Sequence, residues 1–293
     1  DALPISYRNG GSMLLFILAG FSFARFQLNL ILVDKVWGVI NNYLKKILIP
    51  YMAICSAFIL FQLFILKVKP EYDLYSMITN LYRNETSAFT YMWYMQVLAQ
   101  CMVLIGLIFS FKTIKMKANN DLWTFSIILL CIFTTIFILI NAAWDTAYLA
   151  ARVPHVYMPL LLIGWCTYLA KSINQKLIIF AISLFLFSIM YLQEIWWVKV
   201  TYAWLFIGSA LLIFISKIKL PKFIKAILVE VSAKTYFIYL VHIFVLHFIK
   251  IFIQNKQIRF IILLMTCLLL ARLFYLFKNA YQKTLTNKLL LVK

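Results

Sequence analysis

Two adjacent lysines, Lys45 and Lys46, stand where an apolar run begins (NNYLKKILIPYMAICSAFIL). Paired ammonium groups at the mouth of a membrane helix can fix the chain's orientation, or can clamp the phosphates of a cytoplasmic, nucleotide-like ligand as point charges. His242, in YFIYLVHIFVLHF, is the second candidate. An imidazole at membrane depth serves as a proton acceptor or as a hydrogen-bonded packing group. His247 lies five residues on and off that face, as an interface residue. His155, in RVPHVYMP, falls at an outer mouth beside Arg152 and Asp145, placed to touch a polar substrate or to cap a helix start. Glu194 precedes Trp196 and Trp197, with Lys199 five residues away; it forms a surface ion pair or, with those aromatics, a sugar-binding edge. GxSxG, P-loop, GxGxxG and HExxH patterns are all missing. The lack of a DxD-like acidic pair argues against a metal-dependent sugar-nucleotide transferase.

The elements that must position these residues are membrane helices. The chain has 293 residues, 65% hydrophobic and 13% charged, with mean hydropathy +0.93; a soluble domain carries about 25% charged residues. Apolar runs near the roughly 20 residues needed to cross a bilayer recur from end to end, and backbone polar groups in lipid must be satisfied within the span. The expected fold is all-α, a polytopic transmembrane helical bundle. Nine spans are legible, over about 12–27, 47–66, 89–111, 122–143, 156–170, 176–192, 200–215, 235–254 and 259–277. The first follows a Gly10-Gly11 turn. Pro50 is expected in the first turn or so of the second, after a surface piece around Val36 to Tyr43. A helix over 74–82 is expected in the long loop 67–88, and 220–232 (LPKFIKAILVEVS) reads as a separate helix lying on the inner surface.

The net charge of +19 is spread over short loops, which makes it a topology signal and argues against nucleic acid. Loops on alternate sides differ about two-fold in Lys and Arg, the richer set including Arg25, Lys45, Lys46, Lys112, Lys115, Lys117 and the C-terminal tail. That places the C-terminus in the cytoplasm and residue 1 outside. Nine spans from an outside start imply one further helix upstream, ten in all. Cys55, Cys101, Cys131, Cys166 and Cys267 fall in apolar spans without CxxC or CxxH spacing, so neither a metal site nor a disulfide framework is expected. Arg272 lies within snorkelling reach of the inner face and reads as structural.

Several pieces, in order, resemble the acyltransferase-3 family of integral membrane acyltransferases. GGSMLLFILAGF (Gly10–Phe21) is similar to the family's second helix, and NYLKKILIPYM (Asn42–Met52) to its R-x-x-R-I-x-P-x-Y start of the third. MWYM (Met92–Met95), MPLLLIGWCTYLA (Met158–Ala170) and SAKTYFIYLVH (Ser232–His242) resemble its W-F/Y-L, F-x-x-F-G and S-x-x-S/T-Y-x-Y-L-x-H segments. Ala19 stands where the family usually has Ser, and lysines stand for arginines at 45 and 46.

The resemblance implies a single transmembrane acyltransferase domain over 1–293, incomplete at its N-terminus, in the bacterial inner (plasma) membrane. It implies an acetyl group moved from cytoplasmic acetyl-CoA, a substrate rather than a bound cofactor, to a hydroxyl of a cell-surface polysaccharide or lipid-linked sugar. Lys45 and Lys46 would then meet the CoA phosphates, with Tyr236, Tyr239 and His242 lining the acyl channel. Trp93, His155 and Glu194 are the acceptor-side expectations, and membrane lipids the remaining partners. The family's catalytic histidine lies in a first helix, here expected upstream of Asp1, so the chain from Asp1 is expected to be inactive alone. A glycan or lipid flippase would call for intramembrane charges or broken helices in matching halves; a non-catalytic scaffold is the third reading.

Overall fold

The computed structural model describes residues 9–33, 36–64, 93–143, 153–193, 199–215 and 219–291. These form eleven helices: α1 (Asn9–Phe26), α2 (Leu28–Val33), α3 (Val36–Phe64), α4 (Trp93–Ser110), α5 (Lys112–Asn120), α6 (Leu122–Ala143), α7 (Pro154–Leu169), α8 (Ile173–Gln193), α9 (Lys199–Phe214), α10 (Lys222–Phe252) and α11 (Lys256–Leu291). Each of the nine apolar stretches coincides with a helix over its described residues. The windows Leu122–Ile140, Ile173–Leu192 and Gln257–Leu276 are by themselves long and apolar enough to cross a bilayer. The chain is an all-α helical membrane bundle.

The starts of α6, α8 and α11 are set by side chains that accept the first orphan amides. Asp121 Oδ1 accepts from the Thr124 amide (3.0 Å) at the start of α6. Hydrogen bonds from the Thr124 side chain and amide hold the Asp121 carboxyl below the ordinary carboxylate range. At α8, Ser172 Oγ accepts from the Gln175 amide (3.2 Å) while Gln175 Oε1 accepts from the Ser172 amide (3.1 Å), a reciprocal capping box. Asn255 Oδ1 accepts from the amides of Gln257 (2.9 Å) and Ile258 (3.2 Å) to open α11.

Two helices run further than the sequence reading predicts. The surface piece at Val36–Tyr43 is continuous with the span after it, so Pro50 sits inside α3 rather than in its first turn. Proline is tolerated inside membrane helices because neighbours re-satisfy the freed carbonyl. Likewise 222–232 continues straight into the span as part of α10, with no Gly or Pro between Lys222 and Phe252 to end it. There Lys234 Nζ donates to Glu230 Oε1 at 2.6 Å, and the lysine holds the Glu230 carboxyl below its ordinary value. The expected helix at 74–82 lies outside the described residues.

The chain divides into two compact units, Asp1–Pro50 with Pro70–Ile218, and Tyr51–Lys69 with Lys219–Lys293. In the first, α7 is the hub, packed by α1, α4, α6 and α8, with every residue from His155 to Thr167 buried. α1 and α7 touch backbone to backbone. A Cβ on Gly20 would lie 1.7 Å from the Leu161 carbonyl oxygen, and one on Gly164 1.7 Å from that of Ile17. Only glycine permits this approach, and close backbone contact is what holds helices together in lipid. Along the shared seam Phe16 meets Tyr157 (ring centroids 4.5 Å) and Phe23 meets Trp165 (5.5 Å), so the two helices run parallel. In the second unit, α10 and α11 form an antiparallel hairpin. Val245 and Ile249 pack with Cys267, Phe237 stacks on Phe274 (4.6 Å), and Arg259 closes the turn by donating to the carbonyls of Ile253 and Gln254.

Candidate functional site

The helices of the first unit gather aromatic side chains and leave two buried nitrogens unspent. Trp165 is fully buried on α7, stacked against Phe109 of α4 (6.0 Å, 23°) and tilted against Phe23 of α1. Phe23 in turn meets Tyr43 of α3 edge-on (6.4 Å). At the other end of α7, Pro154 accepts a weak hydrogen bond from Cys101 Sγ (3.9 Å), Tyr94 donates to the Leu15 carbonyl (3.3 Å), and Phe16 wedges between Tyr94 and Tyr157. His155 is 8% exposed there.

Among the described residues, His155 Nε2 and Trp165 Nε1 have no hydrogen-bond partner. A buried polar group left unpaired costs on the order of 2–7 kcal/mol where no water reaches it. The chain carries two such atoms on its most enclosed helix, separated by roughly 15 Å of helical rise. Hydroxyls in the same unit divide: Thr167 donates to the Ile163 carbonyl and Ser126 to that of Leu122, both at 2.7 Å, whereas Thr134 Oγ1 and Ser183 Oγ are buried without a partner among the described residues.

The other sequence-derived residues are distributed as follows. Lys45 and Lys46 are both exposed on α3. Tyr239 and His242 are half-buried on α10. His242 Nδ1–H donates to the Tyr239 carbonyl, and the two rings lie 5.5 Å apart. That bond fixes the tautomer and leaves Nε2 with the lone pair, the form a proton acceptor needs. Tyr236 lies three residues before Tyr239 on α10 and Trp93 is the first residue of α4. Glu194 lies outside the described residues. Lys45 and Lys46 belong to the first compact unit; Tyr236, Tyr239 and His242 belong to the second. No cluster of three or more His, Cys, Asp or Glu suited to a metal occurs among the described residues, where Cys101, Cys131, Cys166 and Cys267 are free thiols.

Trp165 was not singled out by sequence. Tryptophan in membrane proteins collects at span ends, where its N–H meets water or headgroups. Trp165 lies in such a position, four residues before the end of α7 and next to Gly164, but is fully buried in protein instead of facing water or headgroups.

A bundle of apolar helices packed around α7 defines an all-α membrane protein. A family model described as an acyltransferase domain, that of the acyltransferase-3 family, matches residues 11–277, and the chain belongs to that family. No curated protein matches the chain, and no solved structure does.

Proposed function

We propose that the protein is a membrane O-acyltransferase that moves an acetyl group from cytoplasmic acetyl-CoA to a hydroxyl of a cell-surface polysaccharide or lipid-linked sugar, in the inner membrane and with its C-terminus in the cytoplasm. The family match over residues 11–277 is the observation that carries this reading. The orientation follows from the excess of lysine and arginine in alternate loops. In that orientation the exposed Lys45 and Lys46 stand on the donor's side, where point charges attract a polyphosphate.

In the reaction the acceptor hydroxyl attacks the thioester carbonyl. A C–O bond forms, the C–S bond breaks, and the hydroxyl proton passes to a base and on to the departing CoA thiolate. His242 has its Nδ1 occupied by the Tyr239 carbonyl and so carries the lone pair on Nε2. It is the candidate for that base or, with Tyr236 and Tyr239, for the wall of the acyl channel. Trp93, His155 and Glu194 are assigned to the acceptor side, His155 on the strength of its buried Nε2.

Radiolabelled acetyl-CoA supplied to membranes from cells expressing the full gene tests the reading. Label entering a polysaccharide or glycolipid fraction supports it; no label from any CoA donor, with the protein intact in the membrane, overturns it. His242→Ala separates base from wall: a base loses nearly all turnover, whereas a wall residue loses a few-fold. Replacing Lys45 and Lys46 together with alanine is expected to weaken acetyl-CoA binding roughly 10-fold at low ionic strength and less in salt. Unchanged binding would remove the clamp from the scheme.

A further inference from the structure

The chain makes a right-angled step just after α4. α4 ends at Ser110, Phe111 takes an extended conformation, and α5 departs at 91° from the helix before it. α4 is apolar and without a charged residue, whereas α5 (KTIKMKANN) carries three lysines in nine residues, a composition that suits the membrane surface rather than its interior. It rests against α2, the short helix that follows α1. α5 turns Ala118 inward, with Ile114 and Lys115 half-buried, while α2 buries Leu28 and Ile31.

What these two helices and their flanks leave outside is of two kinds. One is apolar: Phe26 (61% exposed), Leu30, Val33 (82%), Phe111 (62%) and Met116. The other is cationic: Arg25, whose guanidinium sits 5.0 Å over the Phe26 ring, and Lys112 and Lys117 of α5. The carboxylate that ends α5, Asp121, accepts the Thr124 amide and caps the next helix. A soluble anion would be served by the cations alone and gives no reason to expose two phenylalanines, a leucine, a valine and a methionine beside them. A phospholipid matches both kinds, with apolar side chains at the acyl boundary and cations at phosphate level.

We propose that α2 and α5, with Arg25, Lys112 and Lys117, form a shelf that binds anionic phospholipid headgroups of the leaflet it faces. The shelf lies within the first compact unit and is independent of the acyl-transfer reading.

The test uses the full-length protein reconstituted in phosphatidylcholine with trace spin-labelled phosphatidylglycerol or spin-labelled phosphatidylcholine. The readout is the fraction of each probe immobilised at the protein. The wild type is expected to immobilise phosphatidylglycerol preferentially, and the preference should fall when salt is raised from about 0.05 to 0.5 M. At about five-fold per cation, the triple variant R25Q/K112Q/K117Q should lose on the order of 100-fold in affinity at the shelf, and with it most of the preference. The charge-preserving R25K/K112R/K117R should retain it, which separates lost charge from misfolding. Equal immobilisation of the two probes by the wild type overturns the proposal, as does a preference that survives in R25Q/K112Q/K117Q. If that variant instead keeps its lipid preference and loses acetyl-CoA binding, the cations serve the soluble donor and the lipid shelf is wrong.

Discussion

α7 and α11 are both apolar helices without an acid in the first turn, yet one is enclosed and the other is not. From His155 to Thr167 every residue of α7 is buried, while only 11% of the apolar window Gln257–Leu276 of α11 is buried within the protein. Hydrophobicity does not explain the difference, because lipid tails are as apolar as leucine and give an apolar helix no reason to leave them. Shape does. α7 offers Gly164 to the backbone of α1, whereas α11 turns Leu264, Met265 and Leu269 outward. In this membrane protein a helix is drawn inward by how closely its backbone can be approached, not by how greasy its side chains are.

The largest expected effect sharpens that contrast. Gly164→Leu puts side-chain carbon where the Ile17 carbonyl already stands, against backbone that cannot give way. It should cost more than about 3 kcal/mol, enough to abolish monodisperse protein in detergent. Leu269→Ala on the open face of α11 should change stability by less than about 0.5 kcal/mol. Comparable melting temperatures for the two variants would break the comparison.

Next in size is Trp165. Its replacement by alanine empties a fully buried ring site and should cost about 3–5 kcal/mol. Trp165→Phe keeps a ring and removes the unpartnered donor, so stability should stay within about 1 kcal/mol of wild type. If that N–H serves a bound substrate, the phenylalanine variant keeps its melting temperature and loses acyl transfer. Full activity would return Trp165 to a packing role.

The smallest effect contrasts the starts of α6 and α11, the first capped by a carboxylate and the second by an amide. Asp121 has a lowered folded-state pKa. Its contribution is therefore present above the unfolded value, about pH 4, and is lost as pH falls through the folded one. The difference in melting temperature between wild type and Asp121→Asn should shrink on acidification, while that between wild type and Asn255→Ala should not respond to pH.

The helical character of the nine apolar stretches was legible because uninterrupted apolar length is a strong signal. Boundaries failed where no residue marked them. Nothing between Lys222 and Phe252 stops a helix, and Pro50, a breaker in water, does not end α3. Which helix becomes the hub was hidden, since Gly20 and Gly164 are single small residues 144 positions apart whose meaning lies in the crossing they share. Of the two residues with buried, unpartnered ring nitrogens, His155 was visible as a rare imidazole. Trp165 was not, because seven other tryptophans made it look ordinary until its depth was known.

The contact between Gly20 and Gly164 also sets a clock on the making of the protein. At roughly 5–20 residues per second, the 144 residues between them take about 7 to 29 s to synthesise. For that interval α1 is present in the cell and its partner is not. Its glycine groove must be kept from other helices by lipid, by the insertion machinery or by a helix that later yields its place. A mutation that slows synthesis between the two glycines would lengthen that exposure without touching a single contact of the finished bundle.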